Sequence, residues 1–417
     1  MNRQIAQLQQ LNLPKWILLI VLIGSLAGTA SAVFLISLDW VTHYRENNFW
    51  LIALLPLGGL LIGLMYHYLG QDVAKGNNLL IEEYDNPQKR IHYKMAPLVL
   101  IGTLITHLFG GSAGREGTAV QMGGAISDQF THWFKLNAQE RRSIILMGIS
   151  AGFASVFGTP LAGAVFALEI MLFQHHKKYA IVPVLLSGYV AHYVCLWWGA
   201  THTHYNINVI PSISYVNASW AALAGVLFGL CAMFFSVTSH FFSKVFSKIK
   251  YAPIRPLIGG VVLAIIFWLT PSQKYMGLGV PVIVASFTEP MQQYDFFLKI
   301  LFTAFTLSSG FKGGEVTPLF YIGATLGNVL VWFIPLPMAL LAGMGFVAVF
   351  AGATHAPLAC AIMGMELFGI ESGIYLLLAC SVAFLFSGKK GIYTSQKTPF
   401  LKNILYDKLF NIKRRIK

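Results

Sequence analysis

Charge is missing from long stretches of the chain and returns in short ones. No Asp, Glu, Lys or Arg occurs from Trp16 to Leu38, Ser143 to Leu168, Tyr179 to Ser243, Val316 to Met365, or Ser372 to Gly388. A spanning helix needs about 20 predominantly apolar residues, so these stretches predict membrane-spanning helices, and the longer ones hold more than one each. Between them lie glycine-rich interruptions that carry charge. They cover 71–83 (with K-G-N-N-L-L-I-E-E), 109–118 (F-G-G-S-A-G-R-E-G-T), 308–318 (S-S-G-F-K-G-G-E-V-T-P) and 387–396 (S-G-K-K-G-I-Y-T-S-Q). Non-helical backbone at membrane depth is tolerated only where protein buries it or where it lines a cavity. The interruptions at 109–118 and 308–318 lead into apolar runs, so they predict helix N-termini projecting into the interior. Such an end carries about half a positive charge and several free N–H groups, which together make an anion site.

Composition agrees. Of 417 residues, 56% are hydrophobic and 11% charged, against about 25% charged in soluble domains. The first apolar run is too long for a signal-peptide core of about 7–15 residues and reads as the first spanning helix. The formal net charge of +13 does not indicate nucleic acid. Its basic residues gather where apolar runs stop: Arg3 and Lys15; Lys244, Lys248, Lys250 and Arg255; Lys402, Lys408, Lys413, Arg414, Arg415 and Lys417. That is the positive-inside pattern. It predicts a multi-pass protein of the cell (plasma or inner) membrane, with both termini cytoplasmic and the uncharged segment 200–215 facing outward. Cys195, Cys231, Cys360 and Cys380 stand singly in apolar stretches and read as small buried hydrophobes.

The chain also repeats itself. P-L-A-G-A-V-F-A-L-E-I from Pro160 matches P-L-A-C-A-I-M-G-M-E-L from Pro357, an offset of 197 residues. G-R-E-G-T-A-V-Q-M-G-G from Gly114 aligns with G-E-V-T-P-L-F-Y-I-G-A from Gly314, an offset of 200. We therefore expect one transmembrane domain over 1–417. It would comprise a first repeat of about 17–199, a linker at 200–217, a second repeat of about 218–401 and a basic tail at 402–417. The fold class is an all-α polytopic membrane protein built from two inverted-topology repeats of spanning and broken helices. Inverted repeats place a substrate site near the midplane, where broken helices meet.

At these motifs the chain resembles the chloride channel/transporter family. G-R-E-G-T at 114–118 is similar to its G-R-E-G-P signature, G-G-E-V-T-P at 313–318 to its G-x-F-x-P segment, and Gly76-Asn77-Asn78 takes the place of its G-S-G-I-P. The resemblance implies that Glu116 is the gating and proton-coupling glutamate, whose carboxylate competes with the anion for one site. It further implies an anion path lined by Asn77, Asn78, Gly117, Val316 and Thr317 and closed on its inner side by Tyr393. Arg115 adjoins Glu116, but adjacent residues on a helix do not face each other, so a static pair is not expected.

Several positions depart from the chloride pattern together. Asn77 or Asn78 replaces a serine hydroxyl, Val316 a phenylalanine, and Thr118 a proline. These changes resemble the fluoride/proton antiporter branch of the family. Asn brings two amide donors, and a small, strongly hydrated ion needs more hydrogen bonds to offset its lost water. The competing reading is that the asparagines only cap a helix. Glu169 and Glu366 fill equivalent places in the two repeats and read as structural, bonding nearby backbone ends. Ile170 stands where chloride/proton exchangers carry an inner proton-transfer glutamate, so the inner proton route is open.

Other features add less. His202 and His204 read as loop histidines, and His175, His176, Lys177 and Lys178 as a cytoplasmic rim. The basic amphipathic tail reads as lying on the inner membrane surface, and no nucleotide-binding regulatory pair is expected after it. The sequence thus predicts export of fluoride coupled to proton import, gated by Glu116. The alternatives are a chloride channel or a chloride/proton exchanger of the same fold. An intramembrane enzyme would need paired Asp, or Ser with His, within spans, and the long apolar runs lack Asp. No cofactor or metal is implied. The expected partners are fluoride or chloride, protons, the lipid bilayer and a second copy of the chain, with no nucleic acid.

Overall fold

The computed structural model describes residues 12–172, 180–270 and 273–415. Arg3, the 175–178 rim and Lys417 lie outside them. Among the described residues the α-helices fall into two series. The first comprises α1 (Leu13–Asn47), α2 (Leu55–Leu69), α3 (Asn77–Asp85), α4 (Met95–Leu108), α5 (Glu116–Trp133), α6 (Ala138–Phe157), α7 (Pro160–Ile170) and α8 (Ile181–Trp197). A non-helical stretch over 200–214 precedes the second. That series comprises α9 (Tyr215–Ser247), α10 (Ile254–Leu269), α11 (Val280–Ala285), α12 (Asp295–Ser309), α13 (Val316–Leu330), α14 (Met338–Thr354), α15 (Pro357–Phe368) and α16 (Gly373–Phe386). A terminal helix, α17, covers Phe400–Arg415. Each helix of the first series has its counterpart, in order, in the second.

Among the described residues, three helical stretches, Leu13–Asn47, Phe49–Leu69 and Tyr215–Ser247, are long and apolar enough to cross a membrane unaided. Most others are shorter. α13 has 15 residues, and at 1.5 Å per residue it rises about 22 Å against a hydrocarbon core of about 30 Å. Helices of that length end inside the membrane slab, and their starts must be capped by protein. The interruptions at 109–118 and 308–318 do end in such starts, those of α5 and α13. The interruption at 71–83 is only half irregular, because a left-handed Gly76 (φ 59°) releases the chain into α3 at Asn77.

Two neighbouring pairs form the centre. α14 is buried without a break from Leu340 to Thr354, whereas α1 leaves Ile17, Leu18, Val21 and Val33 exposed. A helix apolar all round is buried on every side or faces lipid, and the two cases divide here by position. The central pairs touch through glycine. A Cβ on Gly123 would lie 2.1 Å from the Gly148 carbonyl oxygen, and one on Gly323 1.9 Å from that of Gly345. The same close approach thus locks α5 on α6 and α13 on α14.

Reciprocal bonds join the series. Gly114 N donates to Gly314 O at 2.6 Å and Gly314 N to Gly114 O at 2.7 Å. The Glu169 carboxylate accepts from Leu358 N (3.1 Å) and Ala359 N (2.7 Å) at the start of α15. Glu366 accepts from Leu161 N (3.0 Å) and Ala162 N (2.8 Å) at the start of α7. Each series therefore caps a helix start of the other. All four cysteines are free and buried.

Candidate functional site

The starts of α3, α5 and α13 converge because the backbone is stripped of side chains where they meet. A Cβ on Gly314 would lie 2.8 Å from Gly117 N and 3.2 Å from Glu116 N, and one on Gly117 would lie 3.1 Å from Asn77 Nδ2. An ion-pair network holds α3 in place. Arg141 on α6 binds Asp128 through Nε (2.7 Å) and Nη2 (2.8 Å), and Glu83 of α3 through Nη1 (3.0 Å). Two carboxylates on one buried guanidinium make strong, directional bonds.

Glu116 is 1% exposed. Its carboxylate lies across the start of α13, accepting the Thr317 backbone N–H at 3.0 Å and the Thr317 hydroxyl at 2.6 Å. It also folds back to accept Arg115 N–H at 3.2 Å, at the start of its own helix. One carboxylate thus sits where two positive helix ends meet, the position an inorganic anion would take. Contrary to the adjacency argument, Arg115 Nε lies 3.4 Å from Glu116 Oε1. Arg115 is the residue before the helix, so the helical spacing that separates neighbours does not apply to it.

Space is confined here. A cavity of about 20 Å³ touches Arg115, Glu116, His202, Thr203, Tyr205, Val280 and Thr317, and one water needs about 10–15 Å³. Beyond it opens a vestibule of about 730 Å³, which shares Arg115, His202, Thr203 and Val280 with the small cavity. His202 is tied through Nε2 to Ser155 O at 2.9 Å, and its burial lowers its proton affinity below that of a free histidine. Arg115, His202, Thr203 and Val280 thus stand between the vestibule and the small cavity at Glu116.

The two asparagines separate. Asn77 lies against Gly117, and its Oδ1 is buried without a hydrogen-bond partner. Asn78 faces away, and its Oδ1 accepts Ser395 N at 2.9 Å. Neither side chain caps the start of α3, so the capping reading does not describe them. Val316 is buried at the first position of α13. Tyr393 is buried in the 387–396 loop, within electrostatic reach of Glu116 and Glu315. That loop is pinned to α3 by Ser395, whose hydroxyl donates to Glu82 at 2.9 Å. Gln396 Nε2 closes it by donating to the carbonyls of Ile170 (3.2 Å) and Thr354 (3.0 Å).

Two residues escaped the sequence reading. Glu315 stands between Gly314 and Thr317, both of which touch Glu116, and so adds a second acidic residue to this segment of backbone. It lies inside the G-G-E-V-T-P motif, where attention to the variable hydrophobic position passed over it. Gln121, one helical turn into α5, approaches Gly76, whose Cβ would lie 3.1 Å from Gln121 Oε1. Among the described residues no group of His, Cys, Asp or Glu is arranged to hold a metal.

Helix starts turned inward on a buried carboxylate, in a chain of apolar spans, define a membrane protein of the anion-transport class. The description "Voltage gated chloride channel" fits residues 58–388, and the chain belongs to that family. It is 48% identical over 396 residues to the "Chloride/fluoride channel protein" of Pseudomonas syringae pv. tomato, covering 93% of this chain and 88% of that one. It is 25% identical to the "H(+)/Cl(-) exchange transporter ClcA" of Cronobacter sakazakii, covering 91% and 88% respectively. Among solved structures it resembles a CLC-type fluoride/proton antiporter, with a TM-score of 0.90 and 35% identity over 93% of this chain and 99% of that one.

Proposed function

We propose that this protein exports fluoride in exchange for protons, with Glu116 as the exchanging group. The observation that carries the reading is the seat of its carboxylate on the Thr317 N–H and hydroxyl, at the start of α13. An arriving anion and this carboxylate compete for the same donors. A buried carboxylate that loses its donors is expensive as an anion, so displacement favours its taking up a proton. The neutral side chain then leaves the donors to the anion. When the proton is released toward the opposite side, the carboxylate returns and expels the ion.

Fluoride is favoured over chloride by the donors grouped here. Thr317 contributes a hydroxyl and Asn77 an amide beside Gly117, and a charge-dense ion recovers more from such bonds than a larger one. The names of the two nearer relatives, one a chloride/fluoride channel protein and one a fluoride/proton antiporter, support the same ion. In this reading Asn77 rather than Asn78 faces the ion, Tyr393 closes the path on the cytoplasmic side, and the vestibule opens outward. Both termini are then cytoplasmic. The working unit is a homodimer with one path per subunit.

A passive conductance for fluoride or chloride is the second reading, favoured by Ile170 in place of an inner proton-transfer glutamate and by the channel named among the relatives. Purified protein in liposomes separates the two. An imposed fluoride gradient should drive lumenal pH change alongside ion-electrode efflux, with chloride moving far more slowly. Fluoride efflux with no accompanying proton movement would replace the antiport reading with the conductance.

A further inference from the structure

Arg45, in the last turn of α1, is 3% exposed. Only its Nη2 finds an acceptor, Glu46 Oε1 at 3.0 Å; Nε and Nη1 are buried with none. Nη1 is directed at the backbone of Gly277, where a Cβ would lie 2.7 Å from it and 3.3 Å from His107 Nδ1. His107 is fully buried. A third basic residue meets Gly277 as well. Lys299 is fully buried and donates to the carbonyls of Tyr275 (3.1 Å) and Gly277 (2.8 Å).

Two costs accumulate at this place. Each buried N–H without an acceptor costs about 1–3 kcal/mol, and the Arg45 guanidinium is a buried charge paired with Glu46. Glu46 is a weak counter-charge, since its side chain is 41% exposed. Asp39, also on the vestibule wall, is mostly exposed and lies 3.5 Å from His43. Lys274, on the same wall, is held by Asp295. Water could fill the empty N–H positions, but it would leave the charge uncompensated. An anion answers both.

We propose that the vestibule floor holds a second small inorganic anion on Arg45, separate from the position Glu116 occupies. Arg45 lines the same cavity as Arg115, and Arg115 lines the small cavity at Glu116. The Arg45 site is therefore a staging point that concentrates the ion one step ahead of the gate. Its transport role rests on the anion-transport reading above; its occupancy does not.

The test pairs diffraction with flux on the full-length protein. Crystals soaked in bromide should give an anomalous peak beside Arg45 that is absent in Arg45→Met. In liposomes the same variant should raise the half-saturating fluoride concentration on the vestibule face by about tenfold, the loss of one charge-assisted bond, and leave the opposite face unchanged. No peak in the wild type, or a peak that persists in Arg45→Met, overturns the proposal. A peak with unchanged half-saturation marks an adventitious ion only and also overturns it. Should Arg45→Met fail to fold, fluoride titrated into bromide-soaked wild-type crystals decides. Displacement of the peak supports the site, and indifference to fluoride overturns it. Absence of coupled transport in the wild type would sink the antiport reading while leaving the bromide peak in place, so the two failures are distinguishable.

Discussion

Replacing Glu116 by Gln keeps the side chain's shape and removes both its charge and its capacity to carry a proton. The carboxylate accepts from Thr317 N at 3.0 Å, from the Thr317 hydroxyl at 2.6 Å and from Arg115 N at 3.2 Å. Hydrogen bonds to a charged group contribute about 1.5–3 kcal/mol and neutral ones about 0.5–1.5. Neutralising the acceptor therefore costs roughly 1 kcal/mol at each of the two Thr317 contacts, or about 2 kcal/mol, equivalent to about 30-fold. The amide should yield its seat to fluoride about 30-fold more readily than the carboxylate does. Fluoride should then cross Glu116→Gln vesicles without moving lumenal pH. Simultaneous recording with a fluoride electrode and an entrapped pH dye checks this. Proton movement at the wild-type ratio in Glu116→Gln would refute the reasoning, because it would show that another group carries the proton.

Three further outcomes follow from the same geometry. Thr317→Val removes the 2.6 Å hydroxyl donor while keeping the backbone N–H. It should weaken the carboxylate's hold by about 1.5–3 kcal/mol, seen as fluoride flux with a reduced proton count. Asn77→Ser should narrow the fluoride-over-chloride preference in an ion-electrode assay, whereas Asn78→Ser, which loses only the Ser395 contact, should leave that preference intact and lower thermal stability. Gly323→Ala places a Cβ 1.9 Å from the Gly345 carbonyl oxygen. Overpacking of this kind costs about 1–3 kcal/mol or more, so it should lower the melting temperature and the yield of monodisperse protein.

Much of the architecture was legible because its determinants are local in sequence. The repeats showed in residues that recur at nearly one offset, and those residues make the reciprocal contacts, as Glu169 and Glu366 do. The starts of α5 and α13 showed because glycine and charge cannot sit idle in lipid. Helix ends within the charge-free runs did not show. A helix that stops inside protein has its end groups bonded by other segments, so nothing in its own composition must change there. The pairing of Arg115 with Glu116 was hidden because it depends on where a helix begins to within one residue. Which of Asn77 and Asn78 lies against Gly117 depends on how the chain enters α3 at Gly76, which the sequence does not show. Nothing in the sequence singled out Arg45, because Gly277, which its Nη1 faces, comes from the other repeat.

The crossed capping by Glu169 and Glu366 also bears on how the chain is made. Leu161 N at the start of α7 waits for an acceptor 205 positions further on, so the first repeat can enter the bilayer but not settle there during synthesis. Until Glu366 has left the ribosome, those amides must be held by water, lipid headgroups or the insertion machinery. Final assembly is therefore a late event in biogenesis, completed only when both repeats are present.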